Sequence, residues 1–535
     1  MNCSENRMLQ HILLICLTLF SSLSWSQNAC RDLFVFESQI TDVQSKIENE
    51  IENHRVNMKM LNGPTEALAA KLLAIRQAKF TIDIAVYQLP KDETGYLFLN
   101  ELHKAAERGV KIRLLVDSVG SFSFSHTELQ YLLRGFPKNR PEIKLANLMF
   151  HPKPAYARLV SMLRGETSFQ NWIQSGNNRA HEKILLVDAG TSDSIGIFGS
   201  ANMSNDSSGL GDRNQSPTKE IEAIIRPSAD SKMTPVDLEF TSYFESLYDY
   251  IGNHRLWDRS PDIFDFSGKR MQKKYSNAIA QANEALDLQN HIEKMKQDDF
   301  LNKNLSPSDF ELVHELPNLI RKTNVFTMKW FRWGKRQNES SVVRSFSKRM
   351  LMAQRRIEIV SPYFLITQSD IRKIERLMLK KPNLEFHVYI NSFTNIDHKA
   401  SCAAFEEFVG PKLAVIKANP LIGERLKIKV YMGDQNSTVK TNFFHMKAIR
   451  VDDEFWIGSH NLDYRSFRLN SEVGAWMNST AGTEDIAKAI SEIDQYSIEW
   501  GSPAWQAIRD RNPVFGDFQK FFSMVSRMFG IHLLL

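Results

Sequence analysis

The chain has 535 residues, with 67 Lys and Arg against 62 Asp and Glu and a formal net charge of +5. That length accommodates two large domains with proper cores, and the composition is that of an ordinary globular protein. The small charge excess, of mixed sign, makes no case for nucleic acid by itself; it is compatible with a polyanionic substrate or an anionic membrane surface.

In chain order, a short polar segment containing Arg7 precedes an apolar run at 12–20, and Ser24-Trp25-Ser26 follows with small residues where a signal peptidase reads. This predicts a secretory signal over 1–26, because the run is well short of the ~20 residues needed to cross a bilayer. The protein is therefore expected to be exported. Cys3 and Cys16 leave with the signal; Cys30 and Cys402 could pair in an oxidising compartment, and neither has zinc-ligand spacing.

After an extension at 27–56, a first domain is expected over 57–258. An apolar strand at 80–86 reaches Tyr87, a helical pattern at 95–108 stops at Gly109, and 110–116 reads as the next strand. Residues 259–337 read as a solvated helical linker, broken at Ser306-Pro307-Ser308. Within it, 328–336 interleaves Trp and Phe with Lys and Arg, which suits either a lipid interface or a linker pinned by its aromatics. A second domain is expected over 338–500, where a strand at 357–360 reaches Ser361-Pro362-Tyr363, a helix spans 371–379 and a strand spans 384–390. Strand, helix, strand twice over predicts two α/β halves, each a mixed, largely parallel sheet flanked by helices. The last segment, 501–535, places Phe518, Phe521, Phe522 and Val525 on one helical face, for docking on the core or at a lipid surface.

One polar string occurs in both halves. The first copy is His181-Glu182-Lys183 with Asp188, then Gly199-Ser200-Ala201-Asn202; the second is His445-Met446-Lys447 with Asp452, then Gly458-Ser459-His460-Asn461. A lone histidine in apolar surroundings is more often a core residue than a catalyst, but two copies in the same order demote that reading. His and Lys two apart share one face of an extended chain. A hairpin turning at the aspartate then returns Ser and Asn beside His. Imidazole, ammonium, hydroxyl and carboxamide together suit a phosphate.

Cleaving a phosphodiester covalently needs one group to attack phosphorus and another, opposite, to protonate the leaving oxygen. Two hairpins supply two histidines. A carboxylate must orient each imidazole, and the candidates are Glu220, with Glu222 as rival, and Glu472. The paired lysines argue against a metal, since a fixed ammonium supplies the charge a divalent ion would.

At these residues the chain resembles the phospholipase D superfamily, whose signature is HxKxxxxD followed by GSxN. The run from Gly458 to Ser466, leading to Asn470-Ser471-Glu472, is similar to the bacterial cardiolipin synthase branch. The resemblance implies one active site at the interface of two pseudo-symmetric halves, a phosphohistidine intermediate, no cofactor and activity as a monomer. On that reading His181 is preferred over His445 as nucleophile, and Lys183, Lys447, Asn202 and Asn461 bind phosphate with support from Ser200 and Ser459. Asp188 and Asp452, at the far ends of the hairpins, are structural. The expected reaction is hydrolysis or phosphatidyl transfer on a phospholipid in a bacterial envelope or outside the cell. An endonuclease of the same superfamily and a non-catalytic phosphate-binding protein are the alternatives.

Overall fold

The computed structural model of the chain describes residues 54–118, 120–121, 129, 141–146, 179–210, 218–228, 239–249, 254–255, 266–315, 341–394, 399–433, 443–468, 470–511 and 516. The expected signal, Cys30, the 328–336 run and the terminal apolar face lie outside these residues; Cys402 is buried.

The first half contributes β1 (His54–Leu61), β2 (Thr81–Val86), β3 (Lys111–Asp117), β4 (Glu142–Ala146), β5 (Lys183–Val187), β6 (Ile195–Gly199), β7 (Glu222–Pro227) and β8 (His254–Arg255). The second contributes β9 (Ser306–Glu315), β10 (Arg356–Val360), β11 (Glu385–Asn391), β12 (Leu426–Tyr431), β13 (Ala448–Val451), β14 (Glu454–Gly458), β15 (Glu472–Asn478) and β16 (Ser497–Glu499). They form one 16-stranded sheet in the order β16-β12-β11-β10-β13-β14-β15-β9-β1-β7-β6-β5-β2-β3-β4-β8. Read outward from the β9–β1 junction, the two arms match strand for strand. β1 and β9 pair antiparallel, Met58 opposite Ser306 and His54 opposite Phe310, as a pseudo-twofold axis between them requires.

Two expectations are corrected here. Residues 306–315, assigned to the linker, form β9, which pairs with β15 as well as β1 and so begins the second half. Proline at its start and polar residues along one face hid a strand bonded on both sides. The sheet is mixed, as expected, but not largely parallel. Only β2–β3, β3–β4, β10–β11 and β11–β12 pair in parallel. A helix crosses over between β2 and β3 and between β10 and β11, whereas each motif hairpin and the strands that follow it return antiparallel.

Helices cover the sheet. α1 (Pro64–Gln77) begins at a proline, whose missing N–H costs nothing at that position. α2 (Glu93–Glu107) joins β2 to β3; the Asp92 carboxylate caps it by accepting the Gly95 N–H at 2.9 Å. α3 (Thr241–Tyr248) follows β7. α4 (Phe266–Leu286) packs on α2 and α5 (Leu288–Gln297) on α1, burying Met271, Tyr275, Ala282, Leu288 and Ile292. The stretch expected to be a solvated excursion is thus a wall of the first half, held by one apolar stripe in an otherwise polar sequence. α6 (Gln368–Lys380) joins β10 to β11 behind a Thr367–Asp370 capping box, and α7 (Thr480–Gln495) covers the second half.

Strand alternation builds the core on both faces. Ile82, Ile84 and Val86 of β2 enter the cluster beneath α1 and α2, while Ala85 faces the opposite side. There it joins Phe198 and Val473, with Tyr243 and Phe244 of α3 and Ile486 and Ile490 of α7. This cluster draws on both halves, so burial there holds the arms together, at about 1.5–3 kcal/mol per large apolar side chain.

Candidate active site

Each motif hairpin is pinned at its turn. β5 pairs with β6 through Ile184 and Phe198, and β13 with β14 through Ala448 and Ile457. Asp188 and Asp452 sit at the turns with φ of 50° and 52°. The Asp188 carboxylate accepts backbone N–H groups from Lys79 (2.9 Å), Phe80 (2.7 Å) and Thr81 (3.0 Å). Asp452 accepts from Gln354 (2.8 Å), Arg355 (2.9 Å) and Arg356 (2.9 Å). Each aspartate therefore fastens its hairpin to the strand beside it, β2 or β10, away from the histidines.

At the other end the two halves exchange partners. The His181 N–H donates to the Ser471 carbonyl at 3.0 Å, and the Ser471 N–H donates to the Arg179 carbonyl at 2.9 Å. In the second half, the His445 N–H donates to the Lys219 carbonyl at 2.8 Å. Each histidine thus lies against the residue preceding the other half's glutamate. His181 Nδ1 is 2.9 Å from Glu472 Oε2, and His445 Nδ1 is 3.0 Å from Glu220 Oε1. Against a carboxylate Nδ1 is the N–H donor, which leaves the Nε2 lone pair available on the remaining ring nitrogen.

The serines serve these carboxylates. Ser200 Oγ donates to Glu220 Oε2 and Ser459 Oγ to Glu472 Oε2, each at 2.6 Å, and both serines are buried. The expectation that they support a phosphate is corrected: their hydroxyls are spent holding the glutamates. Asn470 Nδ2 adds a bond to Glu472 Oε1 at 3.0 Å. Glu222, the rival to Glu220, is occupied by Lys71 at 2.7 Å. The motif glycines allow these close approaches, since a Cβ at Gly458 would lie 2.6 Å from the Gly474 Cα.

Lys183 and Lys447 each donate from Nζ to the carbonyl of their own histidine, at 2.7 and 2.6 Å. Asn202 donates to Gln88 Oε1 at 3.3 Å. Both asparagines and both histidines line one cavity of about 220 Å³, with Tyr87, Gln88, Arg179, Tyr363, Ser401, Asp463, Arg465 and Asn470. Among the described residues no group of three or more His, Cys, Asp or Glu is placed to hold a metal ion.

The two pairs differ electrically. Burial, reinforced by Lys183 and Lys447, holds His181 well below the usual histidine range, and burial raises the Glu472 carboxyl. Burial also lowers His445, with Glu220 pulling against it. Glu220 is pushed up by burial, but His445 and Lys447 outweigh that and hold it below the usual carboxylate range. Both histidines are thus shifted toward the neutral imidazole, His181 more strongly, because at His445 the Glu220 carboxylate opposes the effect of burial. Burial brings Lys183 down to about 8.

Two copies of this catalytic-type unit on one pseudo-symmetric fold are the observation to set beside known proteins. Residues 72–240 and 347–496 match the family described as cardiolipin synthase, PLD-like domain. The chain belongs to that family. Its membership bears out the likeness to the phospholipase D superfamily that the two motifs carry. Relatives of this cardiolipin synthase, PLD-like family include cardiolipin synthase C of Escherichia coli K12, 24% identical over 448 residues, covering 81% of this chain and 84% of that protein. Cardiolipin synthase 1 of Bacillus cereus is 23% identical over 477 residues, covering 88% and 73%. The crystal structure of phosphatidylserine synthase from Haemophilus influenzae Rd KW20 shares the fold with a TM-score of 0.62 at 12% identity, over 92% of this chain and all of that one.

Sequence reasoning missed several residues that position this site. Asp117, at the end of β3, accepts the Ala180 N–H at 2.9 Å. In the matching place, Asn391 at the end of β11 donates to the Phe444 carbonyl at 2.7 Å and accepts its N–H at 3.0 Å. Both fix the residue before a histidine. Their signal was a polar residue ending an apolar strand at matched places in the two halves. Tyr87 and Tyr363, each just beyond a matched strand, carried the same signal; Tyr87 stacks edge-on against His181 at 4.8 Å.

Proposed function

We propose that the protein transfers the phosphatidyl group of a phospholipid through a covalent phosphohistidine. The reading rests on the crossed His–Glu pairs, which place two oriented imidazoles, one from each half, on a single cavity. His181 Nε2 attacks phosphorus, forming a P–N bond as the P–O bond to the departing alcohol breaks, and His445 gives that oxygen its proton. An acceptor hydroxyl then returns a proton to His445 as its oxygen attacks phosphorus, the P–N bond breaks and His181 is regenerated. The stronger loss of proton affinity at His181 favours the nucleophile role, and Glu220, by opposing the burial that lowers His445, makes that histidine the better proton carrier of the two. Lys183, Lys447, Asn202 and Asn461 neutralise and hydrogen-bond the non-bridging oxygens.

A phospholipid is the substrate that agrees with membership of the family and with relatives named as cardiolipin synthases. The leader-like start of the chain adds export to the envelope or beyond, with work at an anionic lipid surface. No helix among the described residues is long and apolar enough to cross a membrane. The test is incubation with labelled phosphatidylglycerol, with and without excess glycerol, followed by lipid analysis. Transfer predicts a new diester beyond the alcohol's molar share, because an oriented acceptor has a high effective molarity. Phosphatidic acid as the only product would make the protein a hydrolase, and cleavage of DNA at comparable efficiency would make it a nuclease.

A further inference from the structure

Arg179 and Arg465 line the cavity beside the two histidines, yet the two-histidine chemistry gives them no task. They also break the symmetry of the site. Where the first half has Arg179, two residues ahead of its histidine, the second has Phe443; where the second has Arg465, at a fixed offset beyond Gly-Ser, the first has Asp206. Two guanidiniums, one from each half and with no counterpart in the other, therefore line a cavity whose histidines, asparagines and tyrosines come in matched pairs.

Their surroundings do not cancel that charge simply. Arg179 is 8% exposed; burial disfavours its charge, Asp117 opposes that and Arg465 adds to it. The Arg465 Nε is buried with no hydrogen-bond partner among the described residues. Arg179 has Asp117 favouring its charge and Tyr87 as a hydrogen-bond partner, and Arg465 acts on Asp463, so each guanidinium has one carboxylate near it while both line the cavity. Asp117 accepts the N–H groups of Gly120 (3.0 Å) and Ala180 (2.9 Å), and Asp463 accepts that of Ser466 at 2.8 Å. Glu220 and Glu472 hold the histidines. Like charges converging on a cavity repel until an anion lies between them, and the planar fork of arginine suits a phosphate.

We infer that Arg179 and Arg465, with Tyr87 beside them, form a second anion subsite that takes a second phosphate carried by the same substrate head group, next to the phosphate between the histidines. The inference rests on the phosphatidyl-transfer reading and deepens it: an acceptor or product that is itself an anionic phospholipid carries such a phosphate, and glycerol or water does not.

Calorimetry on the full chain, with His181→Ala present in every protein compared so that the probes are not turned over, tests this using two soluble probes: glycerophosphoglycerol, with one phosphate, and bis(glycerophospho)glycerol, with two. The parent with both arginines intact should bind the two-phosphate probe more tightly. Arg179→Gln and Arg465→Gln should each weaken that probe about tenfold or more, the scale of a lost charge-assisted hydrogen bond, while leaving the one-phosphate probe within about twofold. Retained one-phosphate binding shows that each variant is folded, and Arg179→Lys, which keeps the charge without the fork, should fall between. Equal losses on both probes would mean that the arginines hold the reacting phosphate, and would overturn the inference. So would a parent that does not distinguish the probes, or arginine-dependent binding of inorganic phosphate without preference for the two-phosphate probe. If phospholipid turnover by the wild type is absent but the arginine-dependent preference persists, the proposed activity falls and the subsite stands.

Discussion

Replacing Glu472 with glutamine changes the chemistry of His181, which belongs to the other half of the chain. Glu472 Oε2 accepts both the Ser459 hydroxyl at 2.6 Å and the His181 Nδ1–H at 2.9 Å, and Oε1 accepts from Asn470. A carboxamide keeps the shape but supplies an N–H on one side. Turned toward His181, it makes Nδ1 the acceptor, moves the ring proton to Nε2 and removes the lone pair needed for attack. The lost charge-assisted bond is worth about 1.5–3 kcal/mol, and a wrong tautomer on this kind of unit has cost about 10⁴ in rate elsewhere, so a fall of roughly 10³–10⁴ is expected. Single-turnover quenching with a labelled phosphodiester bearing a nitrophenol leaving group, which departs without a proton, separates the roles. Glu472→Gln should fail to form the phosphohistidine, whereas Glu220→Gln should form it and accumulate it, since His445 is needed to activate the acceptor. Accumulation in Glu472→Gln and failure in Glu220→Gln would refute the crossed assignment.

Asp188→Ala should cost on the order of 3 kcal/mol in denaturant unfolding, because three half-buried backbone N–H bonds lose a charged acceptor; Asp452→Ala should cost less, since two of its three bonds, to Gln354 and Arg355, are exposed and water can replace the carboxylate there, and equal losses would contradict this. His460 is buried between Trp456 and Phe467, and burial brings it down to about 4. Its unfolded form binds a proton near 6.5, so the stability it permits is present above that pH and is lost as pH falls toward 4. His460→Leu should therefore gain on the wild type by on the order of 3 kcal/mol between pH 7 and pH 4, as read from paired denaturation curves; a pH-independent difference would contradict this. Turnover of a soluble short-chain substrate should survive thorough chelation, since Lys183 and Lys447 supply the cationic charge; loss with recovery on adding one divalent ion would show a metal at work.

What could be read from the sequence was local. Strands β5, β6, β13 and β14 each lie within a few residues of their hairpin partners, so alternation and turn chemistry around Asp188 and Asp452 were enough to place them. Similarly, β2–α2–β3 and β10–α6–β11 are contiguous units. What required knowledge of how the halves meet was hidden. Nothing in the spacing of Glu220 or Glu472 says that each serves the other half's histidine, because that depends on the isolated bridges Ala180–Ser471 and Lys219–Phe444. Ser200 and Ser459 were misread because a hydroxyl at a turn suits a phosphate and a carboxylate equally well. β9 was lost in a polar stretch for a similar reason: its partners, β1 and β15, are far from it in sequence.

The central claim is that both motifs build one site in which His181 carries the phosphatidyl group. Rapid alkaline quenching of the wild type on phosphorus-labelled phosphatidylglycerol, followed by peptide mapping, tests it directly. The account predicts label on the His181 peptide alone, at up to one equivalent, with none formed in His181→Ala. Label on the His445 peptide, label shared by both histidines, or turnover without any covalent label would contradict it.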